Sequence, residues 1–155
     1  MGLVSIEIFG YRDPQARRYA LDLGLALQLT NILRDVGEDY ANGGRIYLPR
    51  ADMARFGYSA EDLATQRHND AFLRLMRFEA ERAHEFYASA QAALPACDER
   101  SLVAAEIMRA VYSRILARME RDNFRVLERR YRLGKLTKVA IIAGVMLRCW
   151  WKKGT

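Results

Sequence analysis

Apolar positions along this chain recur with the α-helical period, and the breaks between such stretches cut it into helices rather than strands. Asp13 before Pro14 makes a helix start, an acidic N-cap with proline at the first helical position. The periodic pattern then runs to about Asp39, and Asn42, Gly43 and Gly44 break it. Residues 44–57 read as a loop with at most one short helix. Ser59, with Asp62 three positions on, resembles a capping box. Asn69 caps a long helix reaching about Leu94, with Phe72, Leu75, Met76, Phe86 and Tyr87 as its apolar positions. Pro95 and Asp98 mark a turn. Residues 101–133 predict another long helix, which Gly134 ends, and residues 135–151 predict the last. No repeat, low-complexity tract or linker divides the chain, so the pattern predicts an all-α fold in a single unit.

The first long helix carries an unusual polar stripe. At about 100° per residue, with Gln28 at zero, Asn31 falls near about −60°, Asp35 near about −20° and Asp39 near about +20°. Leu25, Leu29, Ile32 and Val36 flank it on one side, and Leu23, Gly24 and Leu27 on the other. A solvated face would have polar neighbours, so the stripe is expected to face the interior. Carboxylates buried a turn apart repel each other and lose hydration unless a cation neutralises them. Two carboxylates with an amide oxygen suit Mg²⁺, a hard ion that takes oxygen ligands and commonly bridges to substrate phosphates. The plain alternative is an acidic i, i+4 pair on a surface helix.

Composition narrows the classes. An apolar content of 51% excludes disorder. Three prolines in 155 residues, and an abundance of Ala, Leu, Arg and Glu, favour helix. Cys97 and Cys149 are isolated, which gives neither a disulfide framework nor a zinc site and points to the cytoplasm. The start of the chain lacks the basic region of a signal peptide, and Ile6 stands where a myristoylation pattern needs Ser or Thr. The net charge of +6 is uneven: residues 1–108 hold 12 basic and 16 acidic side chains, residues 109–155 hold 13 and 3. Such a basic end suits an anionic partner. Arg114, Arg118, Arg121, Arg125, Arg129 and Arg132 recur at helical spacing and read as a mostly solvated basic face. Tyr112, Phe124 and Tyr131 lie mostly on other sides of that helix, so the aromatic interleaving of a nucleic-acid surface is missing and no nucleic acid is expected. Glu81 and Glu85, with Arg77, Glu79 and Arg82, read as a solvated charged face, and His68 and His84 as structural. Trp150, Trp151, Lys152 and Lys153 follow an apolar run too short to span a bilayer. They read equally as a membrane-interface anchor or as the ragged end of a core helix.

Gln28, Asn31, Ile32, Leu33, Arg34, Asp35, Glu38 and Asp39 in that order, followed by Gly-Arg-Ile-Tyr-Leu-Pro at 44–49, resemble the second aspartate-rich motif of the squalene/phytoene synthases. These are all-helical head-to-head prenyltransferases. Residues 2–10, Tyr112 with Ile115 and Leu116, and the run from Arg130 to Lys135 are similar to further segments of that family, so the resemblance covers nearly the whole chain. It implies the C-terminal part of an isoprenoid-synthase helical bundle. A second Asp-x-x-x-Asp is absent, so the first motif of the family is expected in a missing N-terminal half, in cis or on a partner chain.

The resemblance also implies roles. Asn31, Asp35 and Asp39 would ligate Mg²⁺, or Mn²⁺ in its place, bridging to a prenyl diphosphate; no NADPH is expected. Gln28 would line the site or hold a metal-bound water, and Glu38 sits at its margin. Arg34, whose position points away from the stripe at about −120°, would contact diphosphate, as would Arg45 and Tyr47 on a loop that could close over substrate. Tyr112 and Arg129 would line the diphosphate end of the pocket. The implied reaction condenses two prenyl diphosphates, farnesyl to presqualene diphosphate or squalene, or geranylgeranyl to phytoene. The chain alone is expected to be inactive, with contact to the inner face of the membrane fitting its greasy product. The rival class is a non-catalytic half-domain that docks on a membrane or partner through its basic C-terminal helices.

Overall fold

The computed structural model describes residues 10–151, so the motif segment 2–9 and the pair Lys152 and Lys153 lie outside the described residues. Among the described residues there are six helices and no strand, as expected for an all-α chain: α1 (Gln15–Ala41), α2 (Arg50–Phe56), α3 (Ala60–Ala64), α4 (Asp70–Ala92), α5 (Val103–Arg121) and α6 (Lys135–Trp151). Asp13 caps the first turn of α1, accepting from the Gln15 N–H at 2.8 Å. The buried Asp98 holds this end in place by accepting from the Arg12 and Asp13 N–H groups, each at 2.9 Å. Ser59 and Asp62 form a full capping box on α3, and Asn69 caps α4 through the Phe72 N–H.

α1 packs mainly against α4, and α5 closes the group. Tyr19, Leu23, Ala26, Leu33 and Val36 bury one face of α1 against Phe72, Leu75, Met76, Leu116 and Met119. Buried polar pairs fix its rotation. Thr30 and Tyr87 hydroxyls meet at 2.9 Å, and the Tyr19 hydroxyl donates to Glu106 at 3.0 Å, itself forked by Arg109.

Three expectations need correction. The polar stripe does not face this core: Gln28 is exposed, Asn31, Asp35 and Asp39 are partly so, and Leu21 and Leu25 on the same side stand half exposed. The buried side of α1, centred on Tyr19, Ala26 and Leu33, is its opposite face, and that side alone satisfies the packing. Second, the helix expected over 101–133 ends at Arg121. Asn123 and Phe124 adopt left-handed backbone (φ 49° and 50°), and residues 122–134 continue as an irregular segment. Its apolar side chains still go inward, with Phe124, Val126, Leu127, Tyr131 and Leu133 all buried, and this burial offsets the strain at Phe124. The arginine stripe is thereby cut after Arg121. Third, Glu81 and Glu85 are solvated but Glu79 is 1% exposed. Burial, with Asp52 alongside, pushes its carboxyl up to about 7 against the pull of Arg82 at 3.1 Å.

Both histidines have structural partners: His68 meets the Asn123 carbonyl at the left-handed corner (2.7 Å), and His84 meets Glu120 (2.9 Å).

Candidate active site

The open face of α1 becomes a site where the segment 122–134 crosses it. Gly37 makes the crossing possible. A Cβ there would stand 2.7 Å from the Val126 carbonyl oxygen and 2.9 Å from Leu127 Cα, closer than any side chain allows. This approach brings Arg130 to the stripe. Its Nε lies 3.1 Å from Asp35 Oδ1 and its Nη1 2.9 Å from Glu38 Oε2. From the other side Arg34 forks the same carboxylate, Nε to Oδ1 at 2.8 Å and Nη2 to Oδ2 at 2.6 Å. Although its Cα points away from the stripe, the Arg34 side chain swings back to it, and its guanidinium stacks over the Tyr112 ring at 5.9 Å.

The two aspartates therefore differ. Burial raises the Asp35 carboxyl, but Arg34 and then Arg130 outweigh it, so Asp35 lies below the usual carboxylate range. Asp39 is shifted up, first by burial and then by repulsion from Asp35 and Glu38, with Arg45 and Arg130 opposing. Above them, the buried Oδ1 of Asn31 has no hydrogen-bond partner. Asn31 lies one helical turn from Asp35 and two from Asp39, so its orphaned amide oxygen and the two carboxylates form a row of oxygen donors along α1 rather than one cluster. Among the described residues no three His, Cys, Asp or Glu side chains converge as a closed metal cage. Mg²⁺ does not need one, since it commonly takes one or two carboxylates and completes its shell with water and phosphate oxygens. Neighbouring members of the Asn31, Asp35 and Asp39 row have the oxygen donors such an ion takes, with Asp35 also held by Arg34 and Arg130.

Beside this cluster lies an open cavity of about 310 Å³. Arg34, Arg130, Arg132 and Lys138 surround it with Tyr112 and Tyr131, and Val111, Ile115 and Leu133 supply apolar wall. Four cations and no acid on the lining suit a polyanion with a greasy tail. Asp39, Arg45 and Tyr47 meet elsewhere, around a small gap of about 10 Å³ where the 44–49 loop packs on α1. Tyr47 is largely exposed and Gln28 stands free of the cluster, further along the stripe. Arg129 turns to Asp122 and stacks on Tyr131 at 5.3 Å, away from Asp35. Arg130, Arg132 and Lys138 take the places around the cavity. Only the doubled arginine at 129–130 hinted at this in sequence, because the irregular backbone decides which of the two turns inward.

The chain is an all-helical protein with an Asn-Asp-Asp stripe beside a cationic cavity. The squalene/phytoene synthase family model matches residues 1–137, and the chain belongs to that family. It is 38% identical over 149 residues to the phytoene synthase of Mycobacterium tuberculosis, covering 94% of this chain and 49% of that one. It is 38% identical over 142 residues to the 15-cis-phytoene synthase of Enterobacter agglomerans, covering 92% and 48%. Among solved structures it superposes on a dehydrosqualene synthase in complex with ligand with a TM-score of 0.73 at 30% identity, over 87% of this chain and 47% of the other. A squalene synthase from Alicyclobacillus acidocaldarius gives 0.69 at 29% identity, over 79% and 46%. The chain spans about half the length of the curated relatives it matches.

Proposed function

We propose that this chain supplies the second-motif side of a head-to-head prenyltransferase, which joins two prenyl diphosphates into a presqualene-type or phytoene-type product. The observation that carries this is the Arg34–Asp35–Arg130 clamp set between the orphaned Asn31 oxygen and a cavity lined by four cations. In the proposed reaction one substrate loses its diphosphate to leave an allylic cation, the double bond of the other attacks it, and the new cation loses a proton as a cyclopropane ring closes. Negative charge grows on the leaving diphosphate as its C–O bond breaks. Arg34, Arg130, Arg132 and Lys138, which line the cavity, would hold that charge, and fixed cations facing a developing anion favour ionisation over rebinding. Bound at Asn31, Asp35 and Asp39, Mg²⁺ would supply Lewis-acid stabilisation of the same leaving group. Tyr112, stacked on Arg34, orients that guanidinium. Val111, Ile115 and Leu133 shield the first part of the prenyl chain, and the 44–49 loop with Arg45 and Tyr47 limits access of water. The relatives span twice this length, so turnover belongs to the whole fold and diphosphate binding is the property to test on the chain.

Titration calorimetry with inorganic diphosphate and Mg²⁺ tests it. Binding is expected for the chain, and Asp35→Asn is expected to weaken it by about tenfold or more while leaving the melting temperature within a few degrees. Equal affinity in Asp35→Asn removes the carboxylate from the site.

A further inference from the structure

The seven-residue helix α2 follows directly on the 44–49 loop, and among the described residues it packs on α4 and on no other helix. Loop and helix are bracketed by glycines in left-handed backbone, Gly44 (φ 66°) and Gly57 (φ 69°), which can turn at little steric cost. Part of the α2 seat is apolar: Met53 is buried, Phe56 meets the Phe78 ring at 5.2 Å, and Arg55 stacks over that ring at 4.6 Å. The rest is a carboxylate pair. Asp52 of α2 and Glu79 of α4 converge on Arg82, whose Nη1 lies 3.3 Å from Asp52 Oδ2, 3.3 Å from Glu79 Oε1 and 3.1 Å from Glu79 Oε2.

That nitrogen has two hydrogens to offer three oxygens. With both acids ionised the cluster carries one net negative charge, and Glu79, at 1% exposed, is closed to the solvent that would stabilise it. A proton kept on Glu79 mends both defects: it cancels the excess charge and is donated to Asp52. Burial first, and then Asp52 against the pull of Arg82, raise this carboxyl to about 7, so the proton titrates near neutrality. The charged groups that other elements turn to α4 are engaged elsewhere. Arg55 stays on the Phe78 ring, α1 turns Asp22 to Ser89, and α5 turns Glu120 to His84.

We infer that a proton shared by Glu79 and Asp52 latches α2 onto α4 and so positions the 44–49 loop, and that losing it loosens α2 and the loop together. Both acids are positioning residues, since they reach Arg45 and Tyr47 only through the backbone between. The direction follows from linkage. Glu79 titrates near about 4.3 when unfolded and about 7 when folded, so the latched state weakens as pH rises across that interval and is weakest above it. One consequence, a loop that limits access of water less well above neutral pH, rests on the proposed function; the latch itself does not.

Hydrogen–deuterium exchange of residues 44–57 tests this, compared at each pH between the chain and Glu79→Gln so that the intrinsic pH dependence of exchange cancels. The glutamine amide can donate to Asp52 at every pH. The two proteins are expected to exchange alike at about pH 5.5, and the parent about tenfold faster or more at about pH 8.5. Residues 72–76 of α4 are expected to exchange alike at both. Asp52→Asn, at a part-exposed position, is the second variant. It removes the like charge, so the Glu79 carboxyl, followed by carbon-13 NMR, is expected to titrate at lower pH than in the parent. Equal exchange of parent and Glu79→Gln at both pH values, a difference between them that pH does not change, or a Glu79 titration that Asp52→Asn leaves in place would each overturn the latch. A pH effect on residues 50–57 that leaves 44–49 untouched would overturn the coupling to the loop. Every readout is taken without diphosphate, so the latch and the proposed function fail separately.

Discussion

Two segments build the candidate site in opposite ways. The α1 stripe is a regular helix whose side-chain directions follow from counting, and its acids lie where the helical period puts them. The segment 122–134 is irregular, and tertiary contacts alone direct its side chains. Its left-handed corner at Asn123 and Phe124, its buried Phe124, Leu127 and Tyr131, and its seat against Gly37 together turn Arg130 to the stripe and Arg129 away. Half of a site can thus be fixed by local geometry while its counter-charges depend on packing. The seam between the two is then the most sensitive point.

Gly37→Ala is expected to have the largest effect. In an isolated helix this change stabilises by about 1 kcal/mol. Here the new Cβ meets backbone at 2.7 Å, which a rotamer change cannot relieve, so a net loss of about 1–3 kcal/mol is expected in urea unfolding, together with weaker diphosphate binding as Arg130 is displaced. A stabilised Gly37→Ala protein would mean that the segment does not rest on α1. Next comes the arginine pair. Arg130→Ala removes two carboxylate partners and one wall of the cavity and is expected to weaken diphosphate binding roughly tenfold or more. Arg129→Ala is expected to change it by less than about threefold. The reverse order by calorimetry would place Arg129 at the anion.

Much of the fold was legible because it rests on short-range signals. Pro14, Ser59, Asn69 and the 42–44 break set their helix ends through caps and backbone preferences that act within a few residues. The end of α5 was not legible. Phe124, Leu127 and Tyr131 keep helical spacing, and no glycine or proline interrupts them, so periodicity continues through a segment that long-range burial has bent away from helix. Glu79 was misjudged for a related reason, since its burial under Arg82 beside Asp52 depends on where α2 lands. The order of Asn31, Asp35 and Asp39 was visible, whereas the side of α1 that is covered was not. Leu21 and Leu25 flank the stripe as core residues would, yet they stand half exposed.

The smallest expected effect separates the two aspartates by pH. Asp35 has a folded pKa below its unfolded value of about 3.9, so the stability it contributes is fully present above that value and is lost as pH falls through the folded pKa. Asp39 has the opposite sign: its folded pKa is raised, so ionising it costs stability as pH rises through the ordinary carboxylate range. Asp35→Asn removes the first contribution and, by taking away one of the charges that repel Asp39 and freeing Arg130, relieves the second. On acidification the two changes oppose each other; the Asp35 contribution, held by two arginines, is the larger, so the variant is expected to lose less stability than the parent as pH falls through the ordinary carboxylate range, read as urea midpoints. The Asp39 carboxyl, followed by carbon-13 NMR, is expected to titrate lower in the variant than in the parent. If Asp39 titrates unchanged, the stripe does not act as one electrostatic unit, and the clamp from the irregular segment serves Asp35 alone.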